Sequence, residues 1–171
     1  MTDPLLAVNN PTALVELLHR RGETVATAES LTAGLLAATL AGVPGVSAVL
    51  RGGLVVYSSE LKVALAKVDA AVLAAHGAVS EAVAAQLAVG AAEVCGASWG
   101  IGVTGVAGPA SQEGHPPGTV FVGISGQVDG GHPAVRKLLL TGDRWAVRSN
   151  TVATAIGMLQ DLLNGNRWRG P

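Results

Sequence analysis

The sequence predicts an α/β protein, a mixed sheet with helices on both faces, and three observations carry that prediction. Strand-like and helix-like apolar patterns alternate through the first hundred residues. Two strand-like runs, 119–125 and 134–140, follow one another late in the chain. Gly or Pro punctuates most transitions. Alternation implies parallel strands joined through helices, whereas consecutive runs meeting at Asp129-Gly130-Gly131 imply an antiparallel hairpin. At 171 residues the chain most simply makes one domain, expected over residues 11–163 between tails at 1–10 and 164–171.

Each element has a local reason. Pro11 suits the first position of a helix whose apolar face is Leu14, Val15, Leu17 and Leu18, and Gly22 ends it. Residues 24–28 alternate β-branched and small side chains, as a buried strand does, and 31–40 form a continuous apolar helix stopped by Gly42-Val43-Pro44-Gly45. Residues 46–58 are the next strand, in which the Gly52-Gly53 pair marks a bulge or a close backbone approach. Ser58 or Ser59 caps a short helix, 69–75 make another ended by Gly77, and Ser80 with Glu81 opens a long helix to about Val94. A buried strand at 99–103 runs into Thr104-Gly105-Val106-Ala107-Gly108-Pro109, followed by a polar, proline-bearing surface loop at 110–117. Thr141-Gly142-Asp143-Arg144 caps the last helix, which ends near Leu163.

Composition narrows the function classes. A formal net charge of -1 with 13% charged residues gives no basic footprint for nucleic acid. Mean hydropathy of +0.45 comes from Ala, Val and Leu, and every apolar run breaks before the ~18 residues a membrane span needs. Met1-Thr2-Asp3-Pro4 lacks the basic start of a secretory signal, and the single Cys95 cannot form an internal disulfide, so a cytoplasmic protein is expected. Low charge and high Ala/Gly content point to a self-association surface, hence a homo-oligomer. His19, His76, His115 and His132 are scattered without ligand spacing, so no metal site is expected; Cys95 reads as a small buried hydrophobe.

Several stretches carry both a chemical and a plain reading. Gly100-Ile101-Gly102-Val103-Thr104-Gly105 spells the dinucleotide pattern G-x-G-x-x-G, which would suit a flavin- or NAD-using oxidoreductase. Its first two glycines fall inside a strand and no helix opens within it, so a glycine loop that lets a ligand approach the backbone is the better reading. Ser30 and Thr32 follow a strand and either cap a helix or present hydroxyls beside free N–H groups. Lys62 lies one turn beyond Ser58 and is either a solvated surface residue or an amine folded back over the strand end. In an apolar site it could lose its proton and act as base to a serine. Arg144 and Arg148, four apart at a helix start, are either an anion clamp or surface residues behind an Asp cap.

Six ordered motifs resemble one family. They are Thr27-Ala28-Glu29-Ser30-Leu31-Thr32-Ala33-Gly34, the run from Gly52 to Lys62 ending Tyr-Ser-Ser-Glu-Leu-Lys, His76-Gly77-Ala78-Val79-Ser80-Glu81, Thr104-Gly105-Val106-Ala107-Gly108-Pro109, Pro117-Gly118-Thr119-Val120, and Gly142-Asp143-Arg144. In this order, over roughly residues 11–163, they resemble the carboxy-terminal domain of CinA, the competence/damage-inducible family, which also exists as stand-alone nicotinamide-nucleotide amidohydrolase. The resemblance implies a three-layer α/β/α sandwich, an oligomer, no metal or other cofactor, and hydrolysis of the carboxamide of nicotinamide mononucleotide to nicotinate mononucleotide and ammonia. Two-domain members carry a further amino-terminal domain, for which this length leaves no room.

Ser30 and Ser47 both match hydroxyl positions of the family's site; Ser30 is favoured as nucleophile by its strand-to-helix junction, with Ser47 the competitor. The resemblance makes Lys62 the base and Tyr57 a proton relay or oxyanion donor. It gives Thr104 and the Gly105–Gly108 loop the ribose or phosphate, and Arg144 the phosphate. Glu29 is expected to anchor Lys62 or the carboxamide nitrogen, with Thr32 beside it on the substrate. Three positions depart from the family: Ser59 stands for the usual Asn, and Val46 and Val49 for the usual Ser and Trp, which is expected to strip polar and aromatic surface from the pocket. The alternative is a non-catalytic nucleotide-binding or interaction module tied to competence or DNA damage, needing Arg144 and the glycine loop but neither Ser30 nor Lys62. The expected partner is a small nucleotide, with no nucleic acid and no membrane.

Overall fold

The computed structural model describes residues 11–126 and 132–165. The expected turn at Asp129-Gly130-Gly131 and the tails at 1–10 and beyond 165 lie outside the described residues. In chain order the elements are α1 (Thr12–Arg21), β1 (Val25–Glu29), α2 (Leu35–Ala41), a short 3-10 turn (Val46–Ala48), β2 (Leu50–Val55), α3 (Ser59–Ala64), α4 (Ala70–His76), α5 (Glu81–Cys95), β3 (Trp99–Gly105), β4 (Thr119–Ser125), β5 (Ala134–Leu139) and α6 (Arg144–Leu163).

The strands form one mixed sheet in the order β2-β1-β3-β4-β5. β1 pairs parallel with β2 and β3, while β3–β4 and β4–β5 pair antiparallel. This is the expected combination of early crossovers and a late hairpin. Alternation within β1 sends Val25 into a core with α1, α2 and α6, and Ala26 and Ala28 into a second core with α5 on the opposite face. The first core is built from large side chains such as Leu14, Leu36, Ile101, Ile156 and Leu159, all at most 2% exposed. The result is an α/β sandwich with helices on both faces.

The second face is packed differently. A Cβ on Gly100 would run into Ala88 O, one on Gly102 would lie 2.7 Å from Leu87 Cβ, and one on Gly123 would run into Ala84 O. The helix α5 therefore rests almost directly on the backbone of β3 and β4. That contact accounts for the first two glycines of G-x-G-x-x-G, which make room for a helix rather than for a dinucleotide.

Two boundaries differ from expectation. Residues 31–34 are turn rather than helix, with Ala33 at φ 50° and Gly34 at φ 90°, and α2 begins only at Leu35. The second strand is shorter than 46–58 because Val46–Ala48 coil into the 3-10 turn and Ser58 becomes the N-cap of α3, accepting from Leu61 N. The Gly52-Gly53 pair fulfils both of its readings. The β1–β2 register shifts at Arg51, and a Cβ on Gly53 would lie 2.8 Å from Thr27 Oγ1 and 2.9 Å from Ala37 Cβ.

Candidate active site

The parallel strands β1, β2 and β3 end on the same side of the sheet, and there the chain diverges. After β1 it passes to α2 on one face; after β2 it passes to α3, α4 and α5 on the other. A crevice outside the carboxyl ends of parallel strands at such a switch is where open α/β sheets bind ligands. A cavity of about 290 Å³ lies at this point, lined by Ser30 after β1, Tyr57, Ser59 and Lys62 after β2, Thr104 to Gln112 at and beyond the end of β3, and Arg144 at the start of α6.

Lys62 is the chemical peculiarity of the cavity. It is only 2% exposed, and its Nζ donates to three backbone carbonyls, Val56 O at 2.9 Å, Tyr57 O at 3.2 Å and Ser58 O at 3.5 Å. The one-turn spacing from Ser58 folds the side chain back over the end of β2, as the sequence reading anticipated. Burial pushes the amine below its usual pKa, opposed by the negative charges of Glu113 and Glu60. Ser30 is 9% exposed and held by its own backbone N–H on Val103 O at 3.0 Å. Its hydroxyl makes no hydrogen bond to another described residue.

At the mouth, half-exposed Tyr57 accepts at its hydroxyl from Arg144 Nη2 at 2.8 Å, and Arg144 Nη1 donates to Gly108 O at 2.8 Å. Asp143 caps α6 by accepting from Ala146 N, which aims Arg144 out of the first turn toward the glycine loop. Arg148 points elsewhere: its Nη2 donates to Thr32 O at 2.8 Å, so the two arginines do not form one clamp. Thr104 is in the wall, but its hydroxyl donates to Ala78 O at 2.6 Å and ties β3 to the segment before α5. Gly105 lines the cavity, and its lack of a side chain lets β3 sit close to β4, since a Cβ there would lie 2.8 Å from Val120 Cα.

Four expectations need correction. Glu29 neither pairs with Lys62 nor lines the cavity. It is fully buried, accepting from Thr27 Oγ1 at 3.0 Å and from the backbone N–H groups of Gly34, Leu36 and Ala37 at 2.8–3.0 Å, so it caps α2 from inside the core. Thr32 is likewise fully buried outside the cavity wall, its hydroxyl without a partner among the described residues. Ser47 is exposed on the 3-10 turn at the opposite end of the sheet, where Val49 O accepts from Val25 N at the start of β1. Five strand residues separate that end from Ser30, on the order of 16 Å of rise. Val46 and Val49 share that end, Val49 fully buried and Val46 against the same core, so their departure from the family leaves the cavity untouched. Ser59 does line it.

The loop after β3, polar surface by its sequence, is an organised wall. Gln112 and His115 exchange backbone hydrogen bonds (3.1 and 2.8 Å), and the Glu113 carboxylate accepts from Val79 N at 3.0 Å. Nothing local in the sequence marks Glu113, because its partner lies 34 residues away. No cluster of three or more potential metal ligands occurs among the described residues, and no described helix is long and apolar enough to cross a membrane.

Comparison with known proteins agrees with this fold. The CinA C-terminal domain model matches residues 9–163. A CinA-like protein of Frankia casuarinae is 45% identical over 149 residues, covering 87% of this chain and 34% of its own, and one of Anaeromyxobacter is 47% identical over 151 residues, covering 88% and 36%. The chain thus spans about a third of the length of these relatives. Among solved structures, a CinA superfamily protein of Klebsiella pneumoniae superposes with a TM-score of 0.88 at 33% identity over 95% of this chain and 99% of that one. One of Escherichia coli gives 0.86 at 31% over 95% and 93%. With six motifs in order, the same sandwich and a family match across the whole described domain, the chain belongs to the CinA C-terminal domain family.

Proposed function

We propose that the chain is an amidohydrolase that cleaves the carboxamide of nicotinamide mononucleotide, releasing ammonia and nicotinate mononucleotide. The observation that carries this reading is the presence, in one cavity, of a serine hydroxyl with no hydrogen-bond partner among the described residues and a buried lysine amine. Ser30 Oγ attacks the carboxamide carbon while neutral Lys62 takes its proton, and a tetrahedral oxyanion forms. The Leu31 N–H, in the turn that follows Ser30 in the cavity wall, has no partner among the described residues and is offered as an oxyanion donor. Collapse expels ammonia as the Lys62 ammonium returns its proton to the leaving nitrogen, leaving an acyl-serine. Water, deprotonated by Lys62, then hydrolyses that ester and regenerates the serine.

Tyr57 and Arg144 fit the opposite end of the substrate. Both donors of the Arg144 fork now rest on uncharged acceptors, Gly108 O and the Tyr57 hydroxyl, and a phosphate dianion is a stronger acceptor than either. The cavity is small enough that the base, ribose and phosphate would extend from Lys62 to this mouth. The test is ammonia release from nicotinamide mononucleotide by the purified chain, beside Ser30→Ala and Arg144→Ala. Turnover by wild type, lost in the first variant and weakened mainly through KM in the second, supports the reading. Saturable nucleotide binding with no ammonia would replace it with the non-catalytic binding module.

A further inference from the structure

The tip of the loop after β3 is a two-residue turn made by Glu113 at φ 50° and Gly114 at φ 77°, flanked by the Gln112–His115 pair. Both central residues are left-handed, the geometry that favours Asn, Asp or Gly. A glutamate there is strained where a glycine would not be, which calls for a compensating contact. That contact is visible. Glu113 Oε2 accepts from Val79 N at 3.0 Å, and the carboxylate packs so closely on Gly77 that a Cβ there would lie 2.6 Å from the same oxygen. Val79 and Lys62 line the same cavity, as do Ser111 and Gln112 immediately before the glutamate.

We propose that Glu113 is a positioning residue of this site: latched on the Val79 N–H, it seats the loop after β3, whose residues Ala107 to Gln112 wall the cavity that Val79 and Lys62 also line, and brings a negative charge to the rim of that cavity. The charged and titratable groups around Lys62 are few. Glu60 lies on its own helix, Tyr57 and Arg144 stand together at the mouth, and Glu113 arrives from the loop. Glu113 is the larger of the two carboxylate influences that hold the lysine proton against burial. Seating of the wall and the charge of the base are therefore coupled through one side chain. This deepens the amidohydrolase reading and rests on it for the role of Lys62, but its physical content is measurable without turnover.

The experiment uses the full chain with two variants. Glu113→Gln keeps an acceptor for Val79 N and removes the charge; Glu113→Ala removes both. Amide exchange at Val79 and across 105–118 reads the latch, and the Lys62 Cε resonance followed against pH reads the charge. For Glu113→Gln, exchange stays within about twofold of wild type, the Lys62 midpoint moves to lower pH, and the rising limb of ammonia release moves with it. For Glu113→Ala the midpoint moves the same way, Val79 exchanges at least about tenfold faster, and KM rises about tenfold, as loss of a charge-assisted hydrogen bond allows. An unmoved Lys62 midpoint in both variants, or unchanged Val79 exchange in Glu113→Ala, overturns the proposal. If Glu113→Ala does not fold, Glu113→Gln decides it through the midpoint alone. A wild type that releases no ammonia removes the amidohydrolase reading and leaves both physical readouts to decide the role of Glu113.

Discussion

Glu29 and Lys62 are both ionisable, both buried to within 2% and both near the carboxyl end of a parallel strand, Glu29 as the last residue of β1 and Lys62 in the helix after β2, yet they do opposite things. Each oxygen of Glu29 is met by donors of the protein itself, from the Thr27 hydroxyl and three N–H groups, and Glu29 is not in the wall of the cavity that Lys62 lines. Lys62 is surrounded by carbonyls on one side and opens onto a cavity on the other. The first arrangement is complete and can only hold the fold. The second sets an ionisable amine in the wall of a cavity, where an incoming group can meet it. Burial of a charge thus separates structure from chemistry only when its remaining valences are traced.

That contrast can be broken or sharpened by experiment. The largest expected effect is on turnover: Ser30→Ala and Lys62→Ala should each lower ammonia release by about 10³-fold or more, roughly 4 kcal/mol of transition-state stabilisation, with the fold intact by circular dichroism. Glu29→Ala should instead strike stability, removing about 3–5 kcal/mol in urea unfolding because four donors around α2 lose their acceptor. A Glu29→Ala protein that melts normally but is catalytically dead would reverse the assignment of the two residues. A smaller signature lies in the pH profile. Because burial lowers the Lys62 pKa, kcat/KM should climb as pH rises and level off below the range of an ordinary lysine, and the climb should vanish in Lys62→Ala residual activity. Ser47→Ala should change nothing beyond about twofold. Loss of turnover there would mean that Ser47 reaches Lys62 from a second copy of the chain.

Most of the fold was legible because its signals are local. The caps Ser58, Ser80 and Asp143, the stop at Gly22 and the late hairpin all act within a few residues of themselves. The site was legible where a motif placed its members within a turn of one another, as with Ser58 and Lys62, or where several strand ends had to converge. Glu29 was misassigned because its partners are backbone groups five to eight residues on, invisible as residue types. Ser47 failed for a geometric reason, since a parallel crossover returns the chain to the start of the sheet before the next strand begins. Glu113 escaped because a polar loop shows no periodicity and its hydrogen bond spans 34 residues.

The bare contact of α5 on Gly100, Gly102 and Gly123 decides which parts of this molecule can be redesigned. No side chain lies between helix and sheet there to be trimmed or enlarged, so the inner walls carried by β3 and the segment before α5 behave as fixed stock. A change of substrate preference would have to be cut into the remaining, outer boundary, at Ser59 and along Ala110 to Gln112, where side chains meet the cavity without supporting the sheet.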